Sequence, residues 1–199
     1  MRPEFLKAVE QLEYEDRLFQ ASLSTGVMMA TSLETWAVAR EVAEKLYETV
    51  LQKKPTTIVE VGTSLGYSTL WLAEAALSYG GKVITIEKEP TKFKKTKLFF
   101  EQMNYGNTLE IVHADAKEYL QSFSGSIDLL FLDALKREYT TYLKAAEPHM
   151  SQNALLLADD VIEWKRKLQD FFDYLDQNNT FSYKLLPLGH GLLLGTKQV

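Results

Sequence analysis

The chain has 199 residues, 46% hydrophobic and 25% charged, with a net charge of −5. This suits one globular domain with a substantial core, and it gives no bulk electrostatic pull toward nucleic acid. The absence of cysteine excludes disulfides and thiolate chemistry and disfavours zinc. No apolar run reaches membrane-spanning length. The first residues, Met1-Arg-Pro-Glu-Phe-Leu-Lys7, lack the apolar core of a signal peptide, so a cytoplasmic protein is expected. Residues 3–20 space Phe5, Leu6, Val9, Leu12, Leu18 and Phe19 as one face of an amphipathic helix. Ser22, Ser24, Thr25 and Gly26 mark a break. Thr31-Ser-Leu-Glu34 has the form of a capping box opening a second helix through Trp36, Val42, Leu46 and Val50, which Lys53-Lys-Pro55 closes.

From Thr57 onward, strand and helix alternate. Thr57–Val61 is a β-branched run holding one acid, Glu60. Gly62 and Gly66 punctuate the loop after it, and Tyr67–Leu77 reads as a helix. Further strands are predicted at 82–87, 108–113, 126–133, 153–159, 181–186 and 192–196. Helices are predicted from Pro90 to about Met103, and at 116–123, 138–146 and 164–178. The apolar run of the 126–133 segment fits a central parallel strand buried on both faces. This order predicts an α/β fold with a mostly parallel sheet and helices on both faces.

In such a sheet the ligand crevice lies beyond the carboxyl ends of the strands. Each of the first five predicted strands delivers acid to that rim: Glu60, Glu87, Asp115, Asp133, and the pair Asp159 and Asp160. Clustered carboxylates repel unless a cation or a hydrogen-bond donor compensates. Gly62-x-x-x-Gly66 is neither the dinucleotide fingerprint nor a phosphate-binding loop with its Gly-Lys-Ser/Thr. Glu87 follows it by about 20 residues, the spacing at which a carboxylate takes ribose hydroxyls. A ligand with a ribose and no pyrophosphate suits this loop.

These segments resemble the class I S-adenosylmethionine-dependent methyltransferases. Within them the chain is most similar to the cation-dependent O-methyltransferases that act on catechols and caffeoyl-coenzyme A. The resemblance rests on Ile58–Leu70, Val83–Glu87, Asp128-Leu-Leu-Phe-Leu-Asp-Ala-Leu-Lys136 followed by Tyr139 and Tyr142, and Leu157-Ala-Asp-Asp-Val161, and it covers residues 25–199. It implies a Rossmann-like core over 56–199 with an N-terminal helical arm over 1–55, together one domain. The sheet would have seven strands, with an antiparallel strand near the C-terminus.

The resemblance also implies roles. Met29, Thr31, Glu60, Gly62, Ser64, Tyr67, Ser68, Glu87, Asp115, Ala116 and Asp133 would bind the cofactor, with Met28 beside them. Asp133, Asp159 and Asp160 would ligate a divalent cation, Mg²⁺ foremost, with Mn²⁺ or Ca²⁺ as alternatives. Lys136 would be the general base, its pKa lowered by the cation beside it. The expected acceptor is a small ortho-dihydroxy aromatic. The alternatives are a tRNA 5-hydroxyuridine, and a metal-independent or non-catalytic cofactor-binding protein. Members of the family are commonly dimers, so a homodimer is expected. Two positions depart from the family: Asp160 replaces an asparagine, and Gly189-His-Gly191 replaces Gly-Asp-Gly near the acceptor pocket.

Overall fold

The structure is a computed structural model and describes residues 1–25 and 34–198. The described residues build one seven-stranded sheet in the order β3-β2-β1-β4-β5-β7-β6. Its strands are β1 (Thr57–Val61), β2 (Lys82–Glu87), β3 (Leu109–His113), β4 (Ile127–Leu132), β5 (Met150–Ala158), β6 (Phe181–Leu186) and β7 (Leu192–Lys197). The pairs from β3 through β5 are parallel. β7 runs antiparallel between β5 and β6. The expected mostly parallel sheet with one antiparallel strand is what the chain forms.

Seven helices accompany the sheet among the described residues: α1 (Pro3–Thr25), α2 (Arg40–Lys53), α3 (Tyr67–Leu77), α4 (Pro90–Glu101), α5 (Ala116–Gln121), α6 (Tyr139–Ala146) and α7 (Gln169–Asn178). Side chains alternate across the central strands, so each strand feeds two cores. Ile58, Leu129, Phe131 and Leu157 face helices α1–α4, while Val59, Val61, Leu130 and Leu132 face α5–α7. No helix among the described residues is long and apolar enough to cross a membrane.

The N-terminal arm is fastened to α3. Phe5 meets the fully packed Trp71 edge-on at 5.0 Å between ring centroids, and Tyr47 of α2 meets the same indole at 6.0 Å. Arg2 donates to the buried Glu74 carboxylate through Nε (2.9 Å) and Nη2 (2.8 Å), and its guanidinium lies 4.6 Å over the Tyr105 ring. Both guanidinium bonds end on Oε2, while Oε1 accepts the Arg2 backbone N–H at 2.9 Å, and hydrogen bonds between charged partners are the strong ones.

Three local expectations are corrected. The first helix runs through the serines to Thr25. Ser22 and Ser24 donate to the carbonyls of Phe19 and Ala21 and so stay inside the helix. The second helix begins at Arg40, so Glu34 is not in its first turn; Thr31 lies outside the described residues. Residues 34–39 are instead an extended strap. Trp36 has a left-handed φ of +44°, and Thr35 is held by Asp16 of α1 and by Ser64, which donates to its carbonyl at 2.6 Å. The last helix begins at Gln169, because Lys165–Leu168 form a tighter turn first.

The sheet order reverses between β1 and β4, and one glycine sets the spacing there. Gly62 has φ +104°, and a Cβ on it would lie 2.0 Å from the carbonyl oxygen of Asp133. Gly62→Ala is therefore expected to cost at least about 2 kcal/mol, from the backbone conformation together with the displaced carbonyl. A chemical denaturation midpoint matching the wild type would contradict this.

Candidate functional site

The site is built where β1, β2, β4 and β5 end. Glu60 sits on the α3 face of β1 and is wholly buried. Ser68 and Thr69, in the first turn of α3, donate to its carboxylate at 2.6 and 2.5 Å, and Thr85 of β2 donates at 2.6 Å. Thr63 stands 2.6 Å from the Thr85 hydroxyl and extends the chain into the loop. Burial pushes Glu60 up to about 7 in spite of these donors. Glu60 and Ser68 are thus engaged with each other beneath the loop.

The loop from Gly62 to Gly66 is pinned on both sides. Ser64 takes a left-handed φ of +48°, its N–H donates to Glu87 Oε2 at 2.8 Å, and its carbonyl accepts from Thr96 at 2.7 Å. The other Glu87 oxygen accepts the Glu89 N–H. A cleft over this loop is lined by Gly62, Ser64, Tyr67, Ser68 and Asp133 and by Thr35–Val38 of the strap. The Tyr67 hydroxyl donates to Glu13 of α1 at 2.7 Å. Asp115 lies one strand further out, where it caps α5. It also accepts from Lys88 at 2.6 Å, a contact that lowers its pKa, and Ala116 is buried behind it. Met28, Met29 and Thr31 lie outside the described residues.

The second half of the site follows β4 and β5. The ladder carries on one residue past each strand: Asp133 N–H donates to Val61, and Asp159 N–H to Leu132. This places Asp133 and Asp159 side by side, with Asp160 next. One carboxylate oxygen from each of the three lies within 4.8 Å of the others. The Lys136 ammonium stands 3.0 Å from Asp133 Oδ1 and 2.8 Å from Asp160 Oδ2. Asp159 Oδ1 is buried with no hydrogen-bond partner among the described residues. Burial, then the neighbouring Asp133 and Asp160, push Asp159 up to about 8.

The expectation of a lowered Lys136 pKa concerns a bound cation; the protein's own groups act the other way. Burial alone would lower it, but Asp133, Tyr139 and Asp160 outweigh burial and raise it. Tyr139 is a residue that the sequence reading placed in a matching segment but gave no role. Its hydroxyl sits 2.9 Å from Lys136 Nζ and donates toward the carbonyls of Leu132 (3.0 Å) and Asp159 (3.2 Å). The available signal was the Lys136-x-x-Tyr139 spacing, which puts both side chains on one face of a helical turn. Asp160 takes a left-handed φ of +64°, and His190 stands against it, Nδ1 to Oδ1 at 3.1 Å.

A model described as a methyltransferase domain matches residues 59–161, which include both halves of the site. The chain belongs to this methyltransferase-domain family. It is 31% identical over 127 residues to a catechol O-methyltransferase of Niastella koreensis, covering 62% of this chain and 54% of that protein. To a catechol O-methyltransferase of Mycobacterium tuberculosis it is 30% identical over 106 residues, 53% of this chain and 48% of that one. The chain spans about half the length of the curated relatives it matches. Solved methyltransferases share the fold. An O-methyltransferase from Bacillus cereus in complex with SAH superposes with a TM-score of 0.76 at 22% identity, over 95% of this chain and 91% of that one. The O-methyltransferase TomG of Streptomyces achromogenes, in complex with SAM, gives 0.77 at 20%, over 94% and 89%.

The buried Glu60 gives this methyltransferase domain a definite pH signature. A carboxyl held up to about 7 when folded binds its proton more tightly than in the unfolded chain. The stability it contributes is full below the ordinary carboxylate range and is lost as pH rises toward 7. Glu60→Gln should remove this dependence. The wild type's stability relative to the variant should fall by up to about 1.4 kcal/mol per pH unit between about 4.5 and 7. Denaturation curves that keep a constant difference across this window would show that Glu60 stays ionised.

Proposed function

We propose that the chain is a divalent-cation-dependent O-methyltransferase that uses S-adenosylmethionine and acts on a hydroxyl of a small ortho-dihydroxy aromatic. The carrying observation is the trio Asp133, Asp159 and Asp160 around the unpartnered, buried oxygen of Asp159. An all-oxygen, all-anionic donor set fits Mg²⁺, Mn²⁺ or Ca²⁺. Two adjacent hydroxyls on a ring match a cation held from one side. The named activities of the relatives support the same reading.

Gly62, Ser64 and the loop between β1 and α3 would hold the methionine part of the cofactor. Glu87, at the end of β2, offers carboxylate acceptors for ribose hydroxyls, and Asp115 with Ala116 lies where adenine would reach. When bound, S-adenosylmethionine supplies an activated methyl group and a divalent cation supplies charge that favours ionisation of a nearby hydroxyl. The protein's own groups do the rest. As a neutral amine, Lys136 Nζ would accept the proton of the acceptor hydroxyl, having first released its own proton to solvent once Asp133 and Asp160 are charge-compensated and no longer hold the ammonium. Tyr139 fixes the position of Nζ. The rigid seam between Gly62 and Asp133 sets the distance from donor to acceptor, and alignment of the two reactants supplies much of the acceleration.

The test is methyl transfer from labelled S-adenosylmethionine to a panel of catechols, with Mg²⁺ and with EDTA. Transfer should require the cation, and Asp159→Asn should abolish it to background. Lys136→Ala should lower kcat by about 10²–10⁴-fold, the usual worth of a positioned acid–base group. Undiminished transfer in EDTA would refute the cation dependence. Full activity of Lys136→Ala would refute the base.

A further inference from the structure

Asp160, of the carboxylate trio, and His190, of the turn between β6 and β7, meet in space. Asp160 and His190 are 30 residues apart in sequence, and the imidazole Nδ1 lies 3.1 Å from Asp160 Oδ1. The other ring nitrogen, Nε2, lies 3.3 Å from Glu163 Oε2. The turn carrying His190 is also sewn to the loop carrying Asp160. Val161 N–H donates to the Gly191 carbonyl at 2.9 Å, and the N–H groups of Ile162 and Glu163 donate to the His190 carbonyl at 3.1 and 3.0 Å. The approach is so close that a Cβ on Gly191 would lie 2.4 Å from Ile162 Cγ1. The turn is anchored from behind, where Gly189 N–H donates to Glu41 of α2 at 2.5 Å.

We propose that His190 is a positioning residue that orients the Asp160 carboxylate for cation binding, a proposal that rests on the cation reading above. A carboxylate on a left-handed backbone has no helix or strand to fix its side chain. Here Nδ1–H holds Oδ1 from the exposed side, leaving Oδ2 to Lys136, whose ammonium also contacts Asp133. Groups that hydrogen-bond a ligating carboxylate in this way set its geometry, and losing one typically weakens metal affinity by about 10–100-fold. His190 is two-thirds exposed, so its replacement leaves the packed core untouched.

The experiment is Mn²⁺ binding to the full chain, without substrate, by titration calorimetry and by the electron paramagnetic resonance signal of free Mn²⁺. Wild type, His190→Ala, His190→Asn and Asp159→Asn are compared. His190→Ala should bind Mn²⁺ at least about tenfold more weakly. His190→Asn, whose amide N–H can donate to Asp160, should recover most of the loss. Binding by His190→Ala equal to or tighter than wild type, while Asp159→Asn is impaired, overturns the role of His190 and leaves the cation site standing. Wild type that binds no better than Asp159→Asn overturns the cation site and the role of His190 together. Equal weakening in the alanine and asparagine variants also overturns it, since the hydrogen bond then contributes nothing.

Discussion

The seam between Gly62 and Asp133 is the constraint on which both halves of the site depend. It lies where the sheet changes direction, between β1 and β4, and it brings the backbone of the glycine loop against the backbone that carries Asp133. Any side chain at position 62 would separate them. Because Asp133 N–H also donates to Val61, the first acid of the trio is registered to the strand that carries the glycine loop. The glycine loop and Asp133, which both line the cleft, are therefore registered to one another through the backbone.

Two ways of burying carboxylate stand side by side here. Glu60 is surrounded by three hydroxyl donors and serves the fold, tying the start of α3 to β1 and β2. The trio of aspartates has one ammonium, which touches two of the three. Two like charges at such separations repel by about 3–4 kcal/mol at an effective dielectric of 20. The raised pKa of Asp159 is the outcome of burial first and then of that repulsion. Hydroxyl donors give both oxygens of the buried Glu60 a partner, whereas acids packed against acids leave Asp159 Oδ1 with none among the described residues.

Most of the frame was legible in the sequence because it rests on local patterns. The β-branched and apolar runs that end in Glu60, Glu87, Asp133 and Asp159 are strands, and their ends share one rim. Pro90 opens a helix, with Glu89 as its cap. What sequence left hidden depends on long-range partners. The capping box before the second helix misled, because Thr35 is drawn into the strap by Asp16 and Ser64, neither of them near it in sequence. The engagement of Glu60 with Thr85 spans 25 residues, and that of Asp160 with His190 spans 30. The charge state of Lys136 depends on three neighbours at once, and no spacing rule encodes their sum.

The strap also ties the cleft to the N-terminal arm. The floor of the cleft is locked by Glu60, Glu87 and Thr96, and Thr35–Val38 along its edge is held by Ser64 and Asp16, by Val38 in the core and by Trp36 against Phe19 of α1. A floor fixed in advance adds little ordering entropy to association. A change at Asp16 or Phe19, far from the glycine loop in sequence, is therefore felt in the cleft through the strap.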